Sequence, residues 1–115
     1  RIFAKSDRTT SDQNTFIKDL VTALGGCQRG LNLLESATAA EKKLLGNYLE
    51  QYQYAILREA FNVLDLSNRS DIADPSILAI AKVIIPKYIK LEPDKDQRAQ
   101  AKAMLSSLKR IGKKQ

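Results

Sequence analysis

The sequence has no histidine and no tryptophan, one cysteine, three prolines and five glycines in 115 residues. Without histidine there is no imidazole triad, no imidazole metal ligand and no usual general base at neutral pH. A lone cysteine, Cys27, forms no internal disulfide and leaves a structural zinc site without ligands, so a reducing, cytoplasmic compartment is expected. Cys27 has no histidine to activate it and reads as a small buried hydrophobe. Gly25-Gly26 followed by Gly30 fits neither dinucleotide nor P-loop spacing. No apolar run approaches the length of about twenty residues that crosses a bilayer, so no membrane contact is expected, and the first residues show no signal-peptide pattern. These absences argue against an enzyme and against any metal or cofactor.

The composition otherwise suits a single globular domain: 43% hydrophobic and 28% charged residues. The net charge is +6, and it is unevenly placed. Residues 1–96 carry thirteen basic and thirteen acidic side chains. Residues 97–115 carry Arg98, Lys102, Lys109, Arg110, Lys113 and Lys114 with no acid. A basic concentration of this kind points to an acidic partner, most often nucleic acid; a solvated, solubilising tail is the alternative. A chain that starts at Arg1 rather than Met reads as processed, trimmed or cut from a longer protein.

Helical periodicity runs through the whole chain, with no alternating strand pattern. Residues 1–11 read as a loose arm in which Ile2 and Phe3 are exposed. Ser11 or Asp12 caps a first helix to about Leu24, with Phe16, Ile17, Leu20, Val21 and Leu24 as its stripe, and Gly25-Gly26 ends or kinks it. A short second helix spans roughly Cys27 to Glu35. A capping box, Thr38 to Glu41, opens a central helix expected to run to Leu64. Its broad apolar face holds Leu44, Leu45, Tyr48, Leu49, Tyr52, Ala55, Ile56 and Val63, so Tyr48 and Tyr52 are expected in the core; Leu57, Phe61 and Leu64 lie on other sides. Residues 65–74 read as a loop. A calcium site there lacks the EF-hand pattern, and a solvated loop ending in a helix cap is the simpler reading. Asp74-Pro75 starts a mostly buried helix that Pro86 is expected to kink. Asp94 and Asp96 suit the positive end of a last helix, a dipole role rather than a catalytic pair. Ala101, Met104, Leu105, Leu108 and Ile111 are that helix's stripe, and Gly112 its stop, leaving 112–115 as a basic tail. The expectation is an all-α domain, a compact bundle of about five helices.

Two faces carry candidate chemistry. On the last helix Lys95, Arg98, Lys102, Lys109 and Lys113 fall within an arc of about 60°, spread over roughly 27 Å, and can follow a phosphate backbone; Arg110 adds to the charge. On the central helix Lys43, Asn47, Gln51, Tyr54 and Arg58 share a face in which Tyr54 can act as a stacking platform for a single strand. Phe61 lies just beyond, either exposed or covering part of that face. Each surface has an ordinary counterpart, a solvated helix face.

In format the chain resembles the small subunit of CRISPR effector complexes: a short, all-helical, mildly basic domain without catalytic residues. In that family such bundles line the belly of the complex and hold nucleic acid by its backbone, sometimes as the C-terminal region of the large subunit. The resemblance implies a non-catalytic nucleic-acid-binding subunit or domain with other protein subunits as partners. It brings no diagnostic motif, so the candidate residues above come from helical geometry. A helical protein–protein adaptor without nucleic-acid contact is the alternative. A helix-turn-helix domain is a third reading, which Cys27–Gly30 fits poorly as a turn.

Overall fold

The computed structural model describes residues 10–114 as five α-helices, with no strand among them: α1 (Thr10–Glu35), α2 (Ala39–Leu45), α3 (Tyr48–Arg69), α4 (Pro75–Leu91) and α5 (Lys95–Lys114). The all-α bundle matches expectation, but several boundaries differ. Of the expected arm at 1–11, residues 1–9, with Ile2 and Phe3, lie outside the described residues, whereas Thr10 and Ser11 already belong to α1.

The first difference is that α1 runs straight through Gly25-Gly26 instead of ending there. Two glycines inside a helix cost about 1 kcal/mol each relative to alanine. Burial of Leu20 and Leu24 before them and Leu31 after them outweighs that, because helix stability in proteins comes mainly from packing an apolar face. Gly30 packs tightly against α3: a Cβ there would meet Ile56 Cδ1 at 3.2 Å.

The second difference breaks the expected central helix in two. The capping box is present, with the Glu41 amide donating to Thr38 Oγ1 (3.1 Å) and the Thr38 amide to Glu41 Oε1 (2.7 Å). The helix it opens stops after seven residues. Gly46 takes φ +54°, which suits a residue without a side chain, and its amide closes α2 on the Lys42 carbonyl. The turn resets the helical phase, so the expected apolar face does not exist as one surface. Leu44 is 88% exposed, Tyr48 60% and Tyr52 50%, correcting their assignment to the core. Tyr48 and Tyr52 stack on each other with centroids 6.2 Å apart. The buried side of α3 is instead Leu57, Ala60, Phe61, Leu64 and Ser67. Phe61 is therefore core, only 7% exposed, with its ring 4.8 Å from that of Tyr88.

Third, α3 continues to Arg69, so only residues 70–74 are left as a connection. An Asp65–Arg69 ion pair (3.1 Å) supports the added turn. Asp71 then adopts φ +59°, a conformation that aspartate tolerates better than most residues. The buried Ser67 hydroxyl donates to the Ile72 carbonyl, and Ile72 and Ala73 drop into the core.

Helix α4 starts as expected: Asp74 Oδ1 accepts from the Ile77 amide (2.9 Å), and Pro75 takes the first position. Ile77, Ala81, Ile84, Ile85 and Tyr88 are buried. The helix passes through Pro86 to Leu91. Pro86 is exposed, so the carbonyl that loses its amide partner lies on the solvent side. Gly112 does not stop α5, and residues 112–114 belong to the helix rather than to a tail. It lets α5 close on α4, since a Cβ there would lie 3.0 Å from Leu78 Cδ2 and 3.4 Å from the Ala73 carbonyl oxygen.

The fully buried Ile84 and the protruding Leu44 test this assignment directly. Ile84→Ala should destabilise by about 2–5 kcal/mol in urea unfolding. Leu44→Ala should stay within about 0.5 kcal/mol; a comparable loss there would mean that α2 packs as part of the core.

Candidate nucleic-acid interface

Helix α5 owes its position to a polar joint at its base. Glu92 is only 5% exposed, yet it ends α4 as a carboxylate with several partners. Its Oε1 accepts from the Tyr88 hydroxyl (2.6 Å) and the Tyr54 hydroxyl (2.7 Å). Its Oε2 accepts from the Asp94 amide (3.0 Å), in the turn that leads into α5. Arg58 Nη1 donates to the Tyr88 oxygen (2.5 Å) and to Gln97 Oε1 (3.1 Å), and lies 4.0 Å from Glu92 Oε1. The guanidinium sits over the rings of Phe61 and Tyr88, 5.6 and 5.9 Å from their centroids. Asp94 caps α5, its Oδ1 accepting from the Asp96 amide (3.1 Å) and its carbonyl from the Arg98 amide (3.0 Å).

The joint perturbs its own titration. The Tyr88 hydroxyl bond, with smaller help from the Asp94 amide, Tyr54 and Arg58, holds Glu92 below the ordinary carboxylate value despite burial. Burial first, then the Glu92 carboxylate, push Tyr88 up to about 12. The bond to Glu92 raises Tyr54, and the bond to Tyr88 raises Arg58.

The candidate cations divide into two groups. Lys95, Lys102, Lys109 and Lys113 are exposed on α5, and none is in an ion pair among the described residues. Arg98 is in the same arc but is half-buried; its Nη1 donates to the carbonyls of Glu92 (2.8 Å) and Pro93 (2.9 Å), fastening the α4–α5 corner. Arg110 is exposed on the other side of α5, toward α3. Helix α4 contributes Lys82, Lys87 and Lys90 and no acid; Lys87 pairs with Glu35 (2.9 Å), while Lys82 and Lys90 are exposed. Residues 75–113 hold nine basic and three acidic side chains, whereas residues 12–74 hold six basic and nine acidic. All three acids of the basic half sit at the α4–α5 corner, and one of them, Glu92, is buried.

The second expected face does not survive as drawn. The break at Gly46 leaves Lys43 on α2, apart from the face of α3. Tyr54 and Arg58 are half-buried members of the Glu92 joint rather than a free platform; the Tyr54 ring stacks on Tyr88 with centroids 6.2 Å apart.

The pairs that tie α3 to α5, Arg58 with Gln97 and Asn68 with Ser107 (2.7 Å), share the same sequence offset, so the two helices run parallel and in register. Between them lies a groove of about 550 Å³ that sequence reasoning missed. The joint was missed too, although a tyrosine in an apolar helix wants a hydroxyl partner, and Glu92 lies one turn on. Cys27 is half-buried against the core, and burial, with the Glu59 charge second, raises its thiol. No group of three cysteine, aspartate or glutamate side chains comes together as a metal site among the described residues, and no described helix is long and apolar enough to cross a membrane.

Comparison with protein-family models, with curated proteins and with solved structures finds no match to this chain.

The joint predicts a specific pH response. Because the folded state holds Glu92 below its ordinary 4.5, its contribution is fully present above that value and is lost as pH falls through the lowered one. On the alkaline side, the Tyr88 contribution is present below 10 and is lost as pH rises through about 12. Urea midpoints should therefore fall at both extremes, and Glu92→Gln should flatten the acid limb while lowering stability at neutral pH. An unchanged acid limb in that variant would show that other carboxylates set it.

Proposed function

We propose that the chain is a non-catalytic nucleic-acid-binding subunit or domain that holds a phosphate backbone on the outer face of α5. The observation that carries this reading is the charge polarity of the bundle. Lys95, Lys102, Lys109 and Lys113 stand exposed in one arc without acidic partners, while the acids concentrate on α1 to α3 and the corner. Lysine is a flexible point charge, suited to phosphate and poor at bidentate reading of bases. Lys82 extends the surface onto α4. Arg110 borders it across the crest of α5, and Arg98 supports it from the corner. Lys43 and Arg58 are secondary. The assembly in view is a cytoplasmic ribonucleoprotein complex with other protein subunits, of the kind whose small helical subunits share this format.

A second reading, a protein–protein adaptor, rests on a different observation. Leu44, Tyr48 and Tyr52 protrude around the α2–α3 break with no core to join. In an assembly, the two surfaces serve different partners.

Binding should weaken steeply with salt, by close to one unit of log–log slope for each phosphate neutralised. Lys102→Ala/Lys109→Ala should lower that slope by about two and weaken all sequences alike. The fold should tolerate both changes, since each side chain is exposed. A double variant that binds as tightly as the parent at low salt would sink the backbone reading and give the adaptor the lead.

A further inference from the structure

The groove between α3 and α5 has a lining unlike that of the lysine arc beside it. Asn62 and Gln100 are exposed on its rims, Gln97 and Asn68 are half-buried along it, and Phe61 and Met104 close its floor. It runs between the two in-register pairs, Arg58 with Gln97 and Asn68 with Ser107, ten residues apart on each helix. That is about 15 Å, close to four nucleotides at the roughly 3.4 Å spacing of a stacked strand.

We infer that this groove receives the bases of a single strand whose phosphates lie on the lysine arc of α5. This rests on the backbone reading above and adds the substrate class: unpaired nucleic acid, DNA or RNA, rather than duplex. Three features carry it. On the helical wheel only Ser106 and Ala99, both exposed, separate the lysine arc from the near edge of the groove, which Arg110 and Ala103 form. That low crest lets a strand lie across α5 with phosphates on one flank and bases on the other. The groove's polar groups are also mixed, with carboxamides, the Asp65 carboxylate and the guanidinium groups of Arg58 and Arg110. Such a set matches the donors and acceptors of base edges, whereas the carboxylate disfavours phosphate. Third, Arg58 is held in place before any ligand arrives. One of its terminal nitrogens is committed to Tyr88 and Gln97, and its guanidinium carbon lies over two aromatic rings, 5.6 and 5.9 Å from their centroids. A fixed, partly exposed guanidinium offers a plane on which a base can stack.

The test compares a short oligothymidine with an abasic strand of the same length, at low salt, by fluorescence anisotropy. The parent should bind oligothymidine about tenfold more tightly, the value of one or two net hydrogen bonds or one stacked base. Asn62→Ala/Gln100→Ala should erase the difference and leave abasic binding and the salt slope unchanged. Ala103→Leu, which fills the groove from the α5 side, should do the same without removing a polar group. If the parent holds both strands equally while Lys102→Ala/Lys109→Ala weakens both, the groove takes no bases and only the backbone reading stands. If the parent binds neither strand, both ideas fall together.

Discussion

The hydrogen bond from the Tyr88 hydroxyl to the Glu92 carboxylate (2.6 Å) is where the packing of α4 meets the placement of α5. Tyr88 is fully buried, so its hydroxyl needs a partner inside the protein. Glu92 supplies one, and a buried carboxylate needs several donors in return. Tyr54 and Arg58 bring α3 to the joint, and the Asp94 amide brings the first turn of α5. One polar knot therefore connects three helices. It also aligns α3 and α5 side by side in the same direction, and that alignment creates the groove between them.

Charge separation follows from the same layout. The hairpin of α4 and α5 holds nine basic and three acidic side chains over residues 75–113, and two of those acids, Glu92 and Asp94, are drawn into buried and capping bonds. Asp94 is committed to the α5 amides, and Glu92 to the joint. The lysines along α5 are thus left facing water with their fields unopposed over most of the helix. At the corner the pattern changes, because Arg98 is spent on the carbonyls of Glu92 and Pro93. The stripe read from the helical wheel consists, in three dimensions, of four free lysines and one fastened arginine.

The fold class was legible because amphipathic periodicity and caps are local properties. The Thr38–Glu41 box, the Asp74-Pro75 start and the Ala101–Ile111 stripe all appear where their residues put them. Glycine was misread in both directions. Gly25 and Gly26 lie inside a helix because leucines on either side of them are buried, whereas the single Gly46 breaks one because its backbone turns to a positive φ. No local rule separates these cases, since the deciding term is packing against another helix. The same holds for Tyr48 and Tyr52, whose apparent stripe loses its meaning once the phase is reset at Gly46.

The residue pattern alone determined an all-helical chain, its basic C-terminal third and the lysine arc of α5, because charge and helical spacing are written along a single segment. Tertiary structure decided which cations remain free, that Tyr54 and Arg58 belong to a buried joint, and that a polar groove lies beside the arc. Those depend on residues 30 to 39 positions apart meeting across helices, and such meetings follow from how whole faces pack rather than from any spacing within one helix.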